Sequence, residues 1–160
     1  MGVVAITYVL KSGRLALQMR VTNAGEGAMP LQPGLHPYFQ VADRNKGAAR
    51  VMTEATQGYD NRTGATVTLR EPIDLAADVV DLHLLDHWPR TVRLMRPEDR
   101  DLDLSLGVPD RVLVVWTERG RDFVCVEPWS APRNALNDGL AVILPPGGTY
   151  ETGFGVEVVS

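Results

Sequence analysis

Apolar positions recur at every second residue along much of this chain. Leu15, Leu17, Met19 and Val21 alternate with Ala16, Gln18, Arg20 and Thr22, and Leu102, Leu104 and Leu106 alternate with Asp103 and Ser105. Val156 and Val158 flank Glu157 in the same way. A period of two sends successive side chains to opposite faces of a strand, so each segment is predicted as a strand with one buried face. Val112 to Trp116 and Phe123 to Val126 are apolar on both faces. Strands covered on both sides read this way, which places these two in the middle of the structure.

Turn signals separate the runs. Ser12-Gly13 stands between Ile6–Leu10 and Leu15–Val21, as in a hairpin. Asn23 to Gly27 closes the second strand, Arg119-Gly120-Arg121 joins the two central runs, and Pro145 to Gly148 precedes the last one. Fifteen glycines and eleven prolines spread along the chain leave no room for a long helix. Glu71 to Asp86 mixes Ala76-Ala77 with Val79-Val80 and Pro72, and is expected to be loop or a short helical turn. The pattern predicts an all-β fold, an antiparallel β-sandwich, with residues 1–160 forming a single domain.

Composition narrows the function without naming it. The chain has 160 residues, 44% hydrophobic and 22% charged, which is globular rather than disordered composition. Sixteen basic against twenty acidic residues give a net charge of -4, so no nucleic-acid surface is expected. No apolar run is long enough to span a membrane as a helix, and no targeting segment is legible, so the expected location is cytoplasmic. The lone Cys125 has no internal disulfide partner and reads as a small core residue.

Two constellations stand out. His36 lies in Leu35-His36-Pro37-Tyr38-Phe39, where the proline holds the histidine backbone extended and the aromatics supply a wall. Spacing alone favours a structural histidine capping a strand end. Glu127 follows the apolar run Phe123–Val126 and precedes Pro128-Trp129, with Pro132, Arg133 and Asn134 beyond. A carboxylate emerging from a core strand beside a tryptophan suits sugar binding, since indole stacks on the apolar face of a sugar ring; a rim charge beside a core indole is the alternative. Asp81 interrupts the apolar run Val79–Leu84 and is placed to orient a hydroxyl. His83 and His87 are four apart without a third ligand at zinc-site spacing, so no metal is expected.

Val21-Thr-Asn23, Met29-Pro30 and Gly34-Leu-His-Pro-Tyr-Phe39, with Phe123-Val-Cys-Val-Glu-Pro-Trp129, Pro132, Asn134-Ala-Leu-Asn137 and Ile143-Leu-Pro-Pro-Gly147, together resemble the aldose 1-epimerase (galactose mutarotase) family. The resemblance implies part of a galactose mutarotase-like β-supersandwich and a cofactor-free exchange of the α and β anomers of an aldose or aldose phosphate. By resemblance Glu127 is the base for the C1 hydroxyl and His36 the acid for the ring oxygen. Asp81 falls where the family places a hydroxyl-binding carboxylate, and Trp129, Tyr38 and Arg133 complete the expected sugar-binding set. Family members are longer, and the segment without counterpart here is N-terminal. Part of the pocket is then expected to be absent and a sheet edge unpaired, which predicts a homo-oligomer covering that edge. The alternative is a catalytically inactive carbohydrate-binding remnant, or a fragment of a longer epimerase.

Overall fold

The computed structural model describes residues 1–87, 91–107 and 112–159. Fourteen strands follow in chain order: β1 (Gly2–Lys11), β2 (Arg14–Asn23), β3 (Met29–Leu31), β4 (Tyr38–Gln40), β5 (Arg50–Met52), β6 (Gln57–Asp60), β7 (Ala65–Thr68), β8 (Val79–Leu84), β9 (Thr91–Met95), β10 (Leu102–Leu106), β11 (Val112–Glu118), β12 (Phe123–Trp129), β13 (Val142–Leu144) and β14 (Thr149–Val158). The only helical element among the described residues is a 3₁₀ turn at Asp43–Asn45. Among the described residues no helix is long and apolar enough to cross a membrane.

The strands form two six-stranded sheets, ordered β1-β2-β14-β10-β9-β5 and β4-β12-β11-β8-β6-β7, with β13-β3 as a small third ribbon. Every pairing is antiparallel. The alternating strands behave as their pattern predicts. Leu102, Leu104 and Leu106 of β10 point inward with Val92 and Leu94 of β9, and meet Val80, Leu82 and Leu84 of β8, Leu113 and Val115 of β11, and Val124 and Val126 of β12. Removing this apolar surface from water, at about 25 cal/mol per Å², is the main force joining the sheets. A second cluster of Met19, Val21, Leu144 and Tyr150 seats the β13-β3 ribbon.

The expectation for Glu71–Asp86 needs correction. Its second half is β8, a six-residue strand at an interior position of the second sheet, paired with β11 and β6. Once separated from the preceding loop, Val80, Leu82 and Leu84 keep strict period two, and their burial against the other sheet outweighs the local Ala-Ala and proline signals.

β11 and β12 lie inside the second sheet, but their two apolar faces do different work. Leu113, Val115, Val124 and Val126 fill the space between the sheets. Val114, Trp116, Cys125 and Glu127 occupy the opposite face, which the antiparallel register assembles into rows. Glu127 pairs with Val114, Val114 with His83, and His83 with Tyr59. The neighbouring row runs Tyr38, Cys125, Trp116, Asp81. At the far edge of the other sheet, all ten residues of β1 are exposed, including Val3, Val4, Ile6, Tyr8, Val9 and Leu10.

Candidate active site

The two rows floor a cleft of about 260 Å³ lined by His36, Asp81, His83, Glu127, Trp129 and Arg133, among others. Glu127 is its buried centre, 2% exposed. Its position follows from strand pairing, so the carboxylate is fixed by backbone hydrogen bonds rather than by a loop. Trp129, two residues on along the same face, donates its indole N–H to Glu127 Oε2 at 3.1 Å. His36 arrives from a separate segment. The Leu35 amide donates to the Pro128 carbonyl at 3.0 Å and the Ser130 amide to the Pro33 carbonyl at 3.0 Å, so residues 33–36 run alongside the end of β12. This lays His36 Nε2 3.3 Å from Glu127 Oε1.

The imidazole of His36 is aimed by aromatic neighbours. Tyr38 stacks on it at 4.8 Å between ring centroids and 14° between planes, and Trp116 meets it edge-on at 5.5 Å. The histidine keeps an exposed side, with 47% of its side-chain surface accessible, so it can face both solvent and the buried carboxylate. Burial pushes Glu127 up to about 7, with the Asp81 charge adding to the rise and the Trp129 hydrogen bond opposing it. A carboxylate so raised is a stronger base than an ordinary one and is still substantially ionised at neutral pH.

A second carboxylate stands across the cleft. Asn61 donates its side-chain N–H to Asp81 Oδ2 at 2.7 Å, and His83 Nε2 lies 3.4 Å from Asp81 Oδ1. Burial lowers the pKa of His83, against the raising effect of Asp81. The neutral ring carries its proton on Nε2 toward the carboxylate, because only that tautomer gives Asp81 a donor. His83 also meets the Trp129 indole edge-on at 5.2 Å, linking the two halves of the cleft.

His36, Asp81, Glu127, Trp129 and Arg133 thus line one cleft. Tyr38 is not among its lining residues; it sits behind His36 and orients that ring. His83, Trp116 and Asn61 were not foreseen as site residues. The Asp81/His83 alternation on one strand carried the signal for His83, whereas Asn61 follows the turnward end of β6 and no local pattern marks it. Donor atoms of His36, Cys125 and Glu127 lie within 4.8 Å of one another. Burial pushes the Cys125 thiol up to about 12, so it stays protonated and offers neither an anionic ligand nor a nucleophile at neutral pH.

The arrangement pairs a raised carboxylate with an imidazole on one oxygen, in a polar cleft with an indole wall and a second fixed carboxylate. It can take a proton from one substrate oxygen while giving one to a neighbouring oxygen. The sequence profile of the aldose 1-epimerases matches residues 3–156. No curated protein matches the chain. Among solved structures, the Slr1438 protein of Synechocystis sp. PCC 6803 is 28% identical with a TM-score of 0.90, over 97% of this chain and 54% of its own. A candidate aldose 1-epimerase of Escherichia coli K12 is 20% identical with a TM-score of 0.82, over 99% and 60%. A galactose mutarotase-like protein of Clostridium acetobutylicum is 17% identical with a TM-score of 0.76, over 97% and 55%. The chain therefore spans between half and two thirds of the length of these structures. By the profile match over nearly its whole length, joined to this fold, the chain belongs to the aldose 1-epimerase family.

Proposed function

We propose that the cleft interconverts the α and β anomers of an aldose by general acid–base catalysis. The observation that carries this reading is the 3.3 Å approach of His36 Nε2 to the buried Glu127 carboxylate. Anomer exchange acts on two oxygens bonded to the same carbon, C1, so its base and acid must converge within a few ångströms. Glu127 takes the proton of the C1 hydroxyl while His36 protonates the ring oxygen, and the C1–ring oxygen bond breaks to give the open aldehyde. Rotation about C1–C2 presents the other face of the carbonyl. On closure the C5 hydroxyl returns its proton to His36 and protonated Glu127 returns its own to the C1 oxygen, so both groups are reset without net proton gain. Asp81 accepts hydrogen bonds from ring hydroxyls, Trp129 holds Glu127 and offers its indole face, and Arg133 donates from the rim.

The test is the rate at which fresh α-glucose, α-galactose and α-glucose 6-phosphate reach anomeric equilibrium, followed by polarimetry or by the anomeric proton in NMR. Acceleration by the wild type, lost in Glu127→Gln by roughly 10²–10⁴-fold, is expected for one positioned proton-transfer group. Absence of acceleration on all three sugars overturns the reading.

The exposed β1 edge supports a second proposal, that this strand pairs with another copy of the chain. Its backbone donors and acceptors on the outer side are unmatched by β2, and it carries an exposed apolar set. Light scattering at working concentration is expected to give the mass of two or more chains, and a monomeric mass overturns it.

A further inference from the structure

The row of side chains that starts at Glu127 continues past the acid–base pair. Through Val114 and His83 it reaches Tyr59, three strand-to-strand steps away, or about 14 Å at roughly 4.8 Å per step. That is longer than one pyranose ring. Beyond His83 the cleft opens into a second pocket of about 340 Å³, against about 260 Å³ for the pocket holding His36 and Glu127. His83 and Arg133 line both, and Tyr59, Pro132, Asn134 and Asp138 help to enclose the second. A space large enough for the reacting ring is therefore followed directly by a larger one.

We infer that the second pocket is a subsite for a second sugar ring, so that the preferred substrate is the reducing end of a disaccharide or longer oligosaccharide. This rests on the reading of Glu127 and His36 as the anomer-exchanging pair. The chemistry of the pocket fits hydroxyl recognition. Arg133 donates one N–H to the Tyr59 hydroxyl at 2.9 Å, with its guanidinium 5.6 Å from the centre of that ring. Among the described residues it has no carboxylate partner, so its remaining donors are open to ligand at the junction of the two pockets. Asn134 donates to Asp138 Oδ1 at 3.0 Å and accepts from Asn137 at 2.6 Å, which fixes an amide and a carboxylate on the rim. Arg133 and Asp138, one positive and one negative, both line the pocket, which leaves it no net positive charge to favour a phosphate and suits a neutral polyol.

His83 adds an independent observation. Its Nε2 faces Asp81, while its Nδ1 is buried without a hydrogen-bond partner. With the proton on Nε2, Nδ1 is an unused, buried acceptor on a residue that lines both pockets. A buried acceptor left unpaired is unfavourable, and a small turn of the ring toward a ligand hydroxyl would satisfy it.

The experiment compares anomer exchange of α-maltose, β-cellobiose and α-glucose on the wild type, Asn134→Gly and Asp138→Ala. Asn134 has φ +61°, so glycine keeps the backbone there while removing the amide. At least one disaccharide is expected to show a kcat/KM ten or more times that of glucose, falling to the glucose value in both variants while glucose itself is unchanged. Acceleration of glucose with equal or slower exchange of both disaccharides overturns the inference and leaves the acid–base reading standing. If no sugar is accelerated, tryptophan fluorescence titration decides the subsite alone: tenfold tighter binding of a disaccharide than of glucose supports it, and equal binding overturns it.

Discussion

Gly34 lies against the indole of Trp129 so closely that a Cβ added there would sit 2.9 Å from Trp129 Cδ1. The same indole donates to Glu127, and the Gly34 segment carries His36, so one close approach sets both partners of the pair. Gly34→Ala is expected to displace either the indole or the His36 segment. The predicted result is a kcat lowered about tenfold, with roughly 1–3 kcal/mol of stability lost to overpacking. Anomer exchange and thermal unfolding on the same preparation check both, and a fully active variant would show that this contact does not position the pair.

Glu127 gives the wild type a pH-dependent stability of defined sign. Its pKa is raised on folding from 4.5 to about 7, so the folded state holds a proton that the unfolded chain has released. The resulting stability is fully present below about pH 4.5 and is lost as pH rises through 7, at up to about 1.4 kcal/mol per unit and about 3 kcal/mol in all. Glu127→Gln lacks this loss. Denaturant unfolding at pH 5 and pH 8 is expected to show the variant gaining on the wild type at the higher pH; parallel behaviour of the two proteins rules out the raised carboxyl.

If Glu127 is the proposed base, a rising limb is expected: kcat/KM climbs as Glu127 ionises, with its midpoint near 7. Trp129 and Asp81 act on that midpoint in opposite directions. Trp129→Phe removes a hydrogen bond to the charged form and is expected to move the midpoint up by about one unit. Asp81→Asn removes a like charge and is expected to move it down, with KM raised through loss of a hydroxyl acceptor. Shifts of the same sign in both variants contradict this assignment of forces.

Cys125 is fully buried and its thiol is pushed up to about 12, mainly by burial. Iodoacetamide at pH 8 is expected to leave the native protein unmodified over hours and to alkylate it within minutes in denaturant, read by intact mass. Rapid modification of the native protein would mean that the floor of the cleft opens.

Much of the architecture was legible because strand burial is periodic. β2, β10 and β14 show their faces directly, and the glycine and proline turns mark their ends. β8 was hidden by its neighbourhood, since a preceding loop with helix-compatible residues masked a short strand whose burial comes from distant partners. The cleft lining was legible where chemistry stood beside a motif, as at His36 and Glu127. Tyr38, expected in the sugar-binding set by resemblance, stacks on the His36 ring. Trp116 enters the cleft only through pairing across strands and Asn61 through its hydrogen bonds to Asp81, which no local pattern encodes.

β12 carries core and cleft side chains in strict alternation, Val124 and Val126 one way and Cys125 and Glu127 the other. Glu127 therefore has no hinge of its own: its strand cannot shift without breaking the contacts that hold the two sheets together. Amide hydrogens along β12 should exchange with solvent only through global opening, so the carboxylate is rigid on the timescale of turnover. Adaptation to different substrates must then reside in the two arms that reach the cleft from outside the sheet, the one bearing His36 and the one bearing Arg133, while the centre they serve changes only at the expense of the fold.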